Sequence, residues 1–227
     1  MTSGQGDPAI PPSGESSPTD LVERARRIHR LLGEEYPNAR CELNHQGPFE
    51  LLVATVLSAQ CTDERVNQVT PPLFSEFPNA QSLAEAPRER IEQLIRPTGF
   101  FHAKAESIQG LSRNLVERYG GEVPGTLDEL FTLRGVGRKT ANVVLGNAFG
   151  VPGLPVDTHV GRLARRLGLT TENDPNAIER DLAALIDRRD WTSFSHRLIF
   201  HGRRCCASRK PACDRCPLTA LCPSSTV

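Results

Sequence analysis

No apolar run in this 227-residue chain reaches the roughly 18 residues that a membrane span needs, so a helical transmembrane protein is excluded. The opening stretch Met1-Thr2-Ser3-Gly4-Gln5-Gly6-Asp7-Pro8 has neither a basic nor an apolar region. It does not read as a secretory signal, and the expected location is the cytoplasm. Sustained alternation of apolar and polar residues is missing throughout, which removes strands and leaves an all-α fold. Net charge is missing too, since 27 Lys and Arg balance 27 Asp and Glu. Taken whole, that balance argues against a polyanionic partner.

The distribution of charge argues the other way. Between residues 134 and 166, Arg134, Arg138, Lys139, Arg162, Arg165 and Arg166 are opposed only by Asp157. Between 191 and 227, Arg197, Arg203, Arg204, Arg209, Lys210 and Arg215 are opposed only by Asp214. Two basic segments in a neutral chain suggest a basic face. The competing reading is solvated charge on helix exteriors.

Residues 1–19 hold Pro, Ser and Gly with almost nothing apolar, so they cannot offset their ordering entropy and are expected to form a disordered tail. Apolar residues at helical spacing predict a helix over 20–35, capped by Asp20. Residues 48–60 are apolar nearly all round, as a fully buried helix would be. At its end Gln60 projects from a helix junction, where the residues alone suggest a surface side chain, and Thr62 or Asp63 caps the next helix. Short helices follow over 79–86 and 88–95. The turn Pro97-Thr98-Gly99-Phe100-Phe101-His102 then exposes aromatics, of which one is expected to pack inward and the other could act as a wedge between base steps. Further helices are expected over 103–119, 158–167, 175–188 and 191–203, the third of these capped by Asp174 with Pro175 in its first turn.

The chain is organised around 132–159. A short apolar helix carrying Leu127, Leu130, Phe131 and Leu133 gives way at Gly135-Val136-Gly137 to a second helical run over 140–149, the pattern of a helix-hairpin-helix. Glycine can adopt the positive φ of a tight turn and lets another backbone approach. The amides opening the second helix lack partners and suit a phosphate. Lys139 lies at the start of that helix, and Asp157 follows eighteen residues later, beyond Pro152-Gly153-Leu154-Pro155. An amine and a carboxylate thus converge near the phosphate seat.

Four of the seven cysteines fall within seventeen residues, as Cys206, Cys213, Cys216 and Cys222 with six, two and five residues between them. Four thiolates so close converge on a single centre. Spacing alone leaves iron-sulfur and zinc both open, although zinc knuckles favour two close pairs and only one is present. Cys205 is out of register and reads as a spare thiol, while Cys41 and Cys61 are expected to be buried.

From about residue 20 to 222 the chain resembles the endonuclease III family of DNA glycosylases. The residues that carry the resemblance are Leu133-Arg134-Gly135-Val136-Gly137-Arg138-Lys139-Thr140-Ala141-Asn142-Val143-Val144-Leu145 and Val156-Asp157-Thr158-His159. It implies two helical lobes with a cleft between them: residues 41–151, and residues 20–40 with 152–227. It implies a bifunctional glycosylase and abasic-site lyase that removes oxidised pyrimidines from duplex DNA, as a monomer in the cytoplasm at the nucleoid. Lys139 would be the attacking amine and Asp157 its partner. Gln60 would fill the gap left by the extruded nucleotide, and Asp63 would lie near the damage pocket. Phe100 falls where relatives often carry a Leu wedge, a departure in residue type. Gly135, Gly137, Arg138, Arg209 and Lys210 would meet the DNA backbone. The family's 4Fe-4S cluster would sit on Cys206, Cys213, Cys216 and Cys222. A monofunctional glycosylase of the same fold and a non-catalytic DNA-binding module are the alternatives, and Lys139 and Asp157 weigh against them.

Overall fold

The computed structural model describes residues 18–227, so the expected tail lies outside the described residues except for its last two positions. Those two open the first helix, α1 (Pro18–Glu35), which starts earlier than expected. Proline is favoured in a first turn because its missing N–H would be unpaired there anyway. Asp20 consequently sits inside the first turn rather than before it.

Ten further α-helices follow: α2 (Pro48–Leu57), α3 (Asp63–Glu76), α4 (Ala80–Glu85), α5 (Arg88–Ile95), α6 (Phe101–Tyr119), α7 (Leu127–Phe131), α8 (Arg138–Ala148), α9 (Thr158–Arg166), α10 (Pro175–Leu185) and α11 (Trp191–Arg204). The described residues contain no strand, as expected. No helix is long and apolar enough to cross a membrane.

Two apolar cores make two helical lobes. In the first, Leu51, Leu52, Val53, Ala54 and Leu57 of α2 are buried against Ile108, Leu111 and Leu115 of α6 and Ala141, Val144 and Leu145 of α8. Burial on every side explains the near-absence of polar residues in α2. In the second core, Ala25, Ile28 and Leu32 of α1 meet Val160 and Leu163 of α9, Leu182 of α10, and Phe194 and Leu198 of α11. Truncating a side chain such as Leu52 or Phe194 costs about 2–5 kcal/mol at this depth of burial.

The connection from α8 to α9 runs through Gly153. A Cβ there would lie 2.4 Å from the Asn142 carbonyl oxygen, so only glycine lets the connector press against α8. Thr192 of α11 clamps it, its hydroxyl accepting from the Gly153 N–H at 3.2 Å and lying 3.1 Å from the Gly153 carbonyl. Asp157 is thereby delivered to the cleft.

Candidate active site

The hairpin begins with α7, whose cap Thr126 accepts from Glu129 N–H. Leu133 and Val136 are buried, pegging the turn into the first core, and Asn114 of α6 accepts from Arg134 N–H at 3.3 Å. Gly135 has φ +78°, a conformation that costs other residues far more than glycine. Gly137 is the cap residue of α8 and provides no side-chain hydrogen bond. The first amides of α8 therefore remain available to an outside acceptor, with the positive end of the helix dipole behind them.

Lys139 is the second residue of α8 and is exposed. Asp157 caps α9, its Oδ1 accepting from His159 N–H and Val160 N–H, both at 2.8 Å. That oxygen is committed to the helix, and Oδ2 is left for the cleft. Both residues line one cavity of about 710 Å³, together with Gln60, Asp63, His159 and Arg203. Two helix N-termini, one bearing an amine and one a carboxylate, thus face the same space.

Across the cavity, α2 ends at Leu57 and a turn carries Ser58 to Gln60. Gln60 is exposed and has φ +51°. Phe100, with φ +48°, precedes α6 and is 71 % exposed, whereas Phe101 is half-buried with the Arg96 guanidinium over its ring. One aromatic does pack inward. Gln60 and Phe100 are the only non-glycine residues at positive φ among the described residues. Such conformations cost on the order of 1–3 kcal/mol and gather at functional sites.

Thr62 caps α3, accepting from Arg65 N–H, so the capping role that competed for Asp63 is filled by its neighbour. Asp63 instead accepts from Arg203 of α11 at 2.9 Å, and Arg203 also holds Glu42. This bridge joins the lobes at the rim of the cavity. Sequence reasoning counted Arg203 only toward a basic face and missed its bridge to Asp63, because nothing in the chain signals that positions 140 residues apart meet.

The arginines of the two basic segments are largely engaged. Arg138 forms a two-pronged bond to Glu179, at 2.8 and 2.9 Å, so a phosphate would have to compete with that carboxylate. Arg134 pairs with Glu106. Arg162 donates to the carbonyls of Gly202 and Cys206, and Arg166 to those of Ala207 and Ser208. Arg209 and Lys210 are exposed, and no hydrogen bond or ion pair within the described chain holds them. With Lys139 and Arg215, they are the exposed cations of the two segments that no hydrogen bond or ion pair of the described residues engages.

Cys206, Cys213, Cys216 and Cys222 line a cavity of about 170 Å³. Arg166 Nη1 lies 3.3 Å from Cys206 Sγ. The buried His201 places Nε2 3.4 Å from Cys216 Sγ and Nδ1 3.1 Å from the Tyr36 hydroxyl. His201, Cys205 and Cys216 offer ligand atoms within 4.8 Å of one another, a group able to hold a metal ion. Cys205, the expected spare thiol, therefore belongs to this cavity wall. Cys41 and Cys61 are half-buried against the first core rather than fully enclosed.

A hairpin whose helix opens on a lysine, set against a capping aspartate in a two-lobed helical body, has close counterparts. The family model of the HhH-GPD superfamily, base excision DNA repair proteins, matches residues 53–188 and defines the class. Endonuclease III of Synechocystis sp. is 57 % identical over 204 residues, covering 89 % of this chain and 93 % of that protein. Two solved structures, a non-covalent endonuclease III-DNA complex and a trapped endonuclease III-DNA covalent intermediate, each superpose with a TM-score of 0.86 at 44 % identity, covering 90 % of this chain and 96 % of theirs. The chain belongs to the endonuclease III family.

Proposed function

We propose that the protein is a base excision repair DNA glycosylase with abasic-site lyase activity, removing oxidised pyrimidines from duplex DNA in the cytoplasm, at the nucleoid. One observation carries the reading: Lys139 and Asp157 open two helices onto a single cavity. Lys139 Nζ attacks C1′ of an extruded nucleotide, the bond from C1′ to the base breaks, and the base leaves with the bonding pair. Asp157 Oδ2 stabilises the positive charge that develops on the sugar. The bound amine gives up a proton, its lone pair expels O4′ so that the sugar ring opens and O4′ takes up a proton, and the Schiff base so formed at C1′ acidifies the 2′ proton. Loss of that proton expels the 3′ oxygen and cuts the strand.

The division of labour follows the two cores, with residues 41–151 as the hairpin lobe and 20–40 with 152–227 as the cysteine lobe. Gln60 and Phe100 enter the duplex from the first lobe, and Asp63 borders the damage pocket. The uncapped amides around Gly135 and Gly137 seat a phosphate, as would Arg138 once released from Glu179. Arg209 and Lys210 reach the backbone from the second lobe.

Cys206, Cys213, Cys216 and Cys222 would hold a 4Fe-4S cluster. All four side chains line one cavity, and the six-two-five spacing, with only one close pair, supports a cuboidal centre over a single zinc ion. When bound, the cluster supplies a rigid, four-point anchor for the loop carrying Arg209 and Lys210.

Borohydride reduction during turnover tests the assignment. It should leave a protein-DNA adduct whose mass maps to the peptide containing Lys139, and none with Lys139→Ala. An undiminished adduct in that variant would falsify it.

A further inference from the structure

His201, in the last turn of α11, is 2 % exposed, and Tyr36, directly after α1, is 7 % exposed. The His201 carbonyl accepts from the Cys205 and Cys206 amides, at 2.9 and 2.8 Å, so this residue already holds the start of the cysteine loop. Its ring is engaged at both nitrogens: Nδ1 lies 3.1 Å from the Tyr36 hydroxyl, and Nε2 lies 3.4 Å from Cys216 Sγ. The Tyr36 ring is fixed in turn, edge to face with Phe200 at 6.3 Å and with the Arg204 guanidinium over it at 5.9 Å. Phenylalanine and leucine would fill this space without burying a hydroxyl and an imidazole, which are costly unless hydrogen-bonded. What the polar atoms add to packing is direction.

That direction follows from what each atom can do. A cysteine that binds iron is a thiolate and can only accept. The nitrogen facing Cys216 must then carry a proton, and a neutral imidazole has only one. Nδ1 is left as an acceptor, and the Tyr36 O–H is the donor beside it. The other tautomer would set two lone pairs against each other across the 3.4 Å between Nε2 and Cys216 Sγ. Hydrogen bonds to its sulfurs help set the potential of an iron-sulfur centre, and groups behind a metal ligand fix its orientation.

We propose that Tyr36 and His201 are positioning residues of the cysteine centre: Tyr36 holds the His201 proton on Nε2, and that N–H orients the Cys216 sulfur and draws charge from it. The proposal rests on the reading of the four cysteines as ligands of a 4Fe-4S cluster. It gives the N-terminal helix, through Tyr36, a part in retaining the metal at the other end of the chain.

The test uses the full chain purified with its iron. It reads two quantities, the rate at which iron passes to a strong chelator and the midpoint potential by voltammetry. His201→Leu should lose iron about tenfold faster or more, the scale of a lost outer contact to a metal ligand. Its midpoint should fall, because the sulfur keeps more charge. His201→Gln, which keeps an N–H donor, should recover part of both. Tyr36→Phe keeps the packing and removes only the hydroxyl, so it should move both quantities the same way by less, and should add little in the His201→Leu background. If His201→Leu yields no folded protein, Tyr36→Phe and His201→Gln are read against the native chain, with the same directions expected. A role confined to packing would weaken His201→Leu against heat and leave its midpoint in place, which would overturn the proposal. So would an unchanged iron-release rate and midpoint in Tyr36→Phe, or full additivity of the two variants. Iron missing from the native chain would remove the cluster reading first, and this proposal with it.

Discussion

In the hairpin lobe, α2 is apolar on every side and α6 and α8 close over it, so each of their buried leucines is held by other apolar side chains. In the cysteine lobe, residues 205–227 contribute only Cys205 and Leu218 to the buried apolar set. What holds that segment to the body is polar: Arg162 and Arg166 reach across to the carbonyls of Cys206, Ala207 and Ser208, and His201 bridges Tyr36 and Cys216. One lobe is stabilised by apolar area and the other by directed bonds plus whatever the four cysteines bind. The apolar lobe carries Lys139, proposed as the attacking amine, and Gln60 and Phe100, proposed as the inserting tips. The other carries Arg209 and Lys210, on a loop that needs an anchor.

Removing that anchor should separate the lobes most sharply. Replacing Cys216 by Ser, or stripping any metal the cysteines hold with a chelator, should lower hydrogen-exchange protection over 205–222 by about a hundredfold or more while α2 and α6 change less than about threefold. Equal loss in both lobes would erase the contrast. Intact protein should be yellow-brown, with about four iron atoms per chain. Stoichiometric zinc without colour would restore the zinc alternative.

Acid should distinguish the lobes next. His196 of α11 is buried against Asn147, and burial lowers its pKa from 6.5 to about 4. Burial also lowers those of His29 and His159, in the same lobe. Below pH 6.5 the unfolded chain takes up a proton that folded His196 refuses until about pH 4, so stability is full above 6.5 and falls through that window. The slope for one such group is at most about 1.4 kcal/mol per pH unit. Denaturant melts at pH 7 and pH 5 should show the loss, and His196→Gln should reduce it. Identical pH dependence in the two proteins would contradict the role of burial.

The smallest effect concerns the cations of the cysteine loop. Arg209→Ala with Lys210→Ala should flatten the salt dependence of DNA binding by up to about 2 log units per log unit of salt. Arg162→Ala or Arg166→Ala should instead loosen the 205–227 segment, because those guanidiniums are spent inside the protein. An unchanged slope for the first pair would confine the cysteine loop to a structural role.

Much of this was legible in the sequence. Helical spacing located the helices to within a few residues, and the glycine hairpin, Lys139 and Asp157 pointed to residues that the fold brings to one cavity, because each depends on local chemistry. Less legible was anything settled by distant partners. A run of arginines reads as a DNA face, yet Arg138, Arg162 and Arg166 turn inward to Glu179 and to backbone carbonyls up to 42 residues away. Asp157 was read for its chemistry, and its second role as the α9 cap emerged only with the fold. The bridge from Arg203 to Asp63 and the meeting of Tyr36 with His201 have no signature in composition or periodicity.

The second role of Asp157 makes the central claim directly testable, because asparagine caps a helix about as well as aspartate. Asp157→Asn should keep α9 intact while removing the charge that faces the cleft. Single-turnover excision of an oxidised pyrimidine should then slow by about a hundredfold or more, the scale of a lost electrostatic stabiliser. Cleavage at a preformed abasic site, where no base has to leave, should slow far less. Lys139→Ala should lose both. Equal losses on the two substrates in Asp157→Asn would contradict the account, since the carboxylate would then have no particular part in expelling the base.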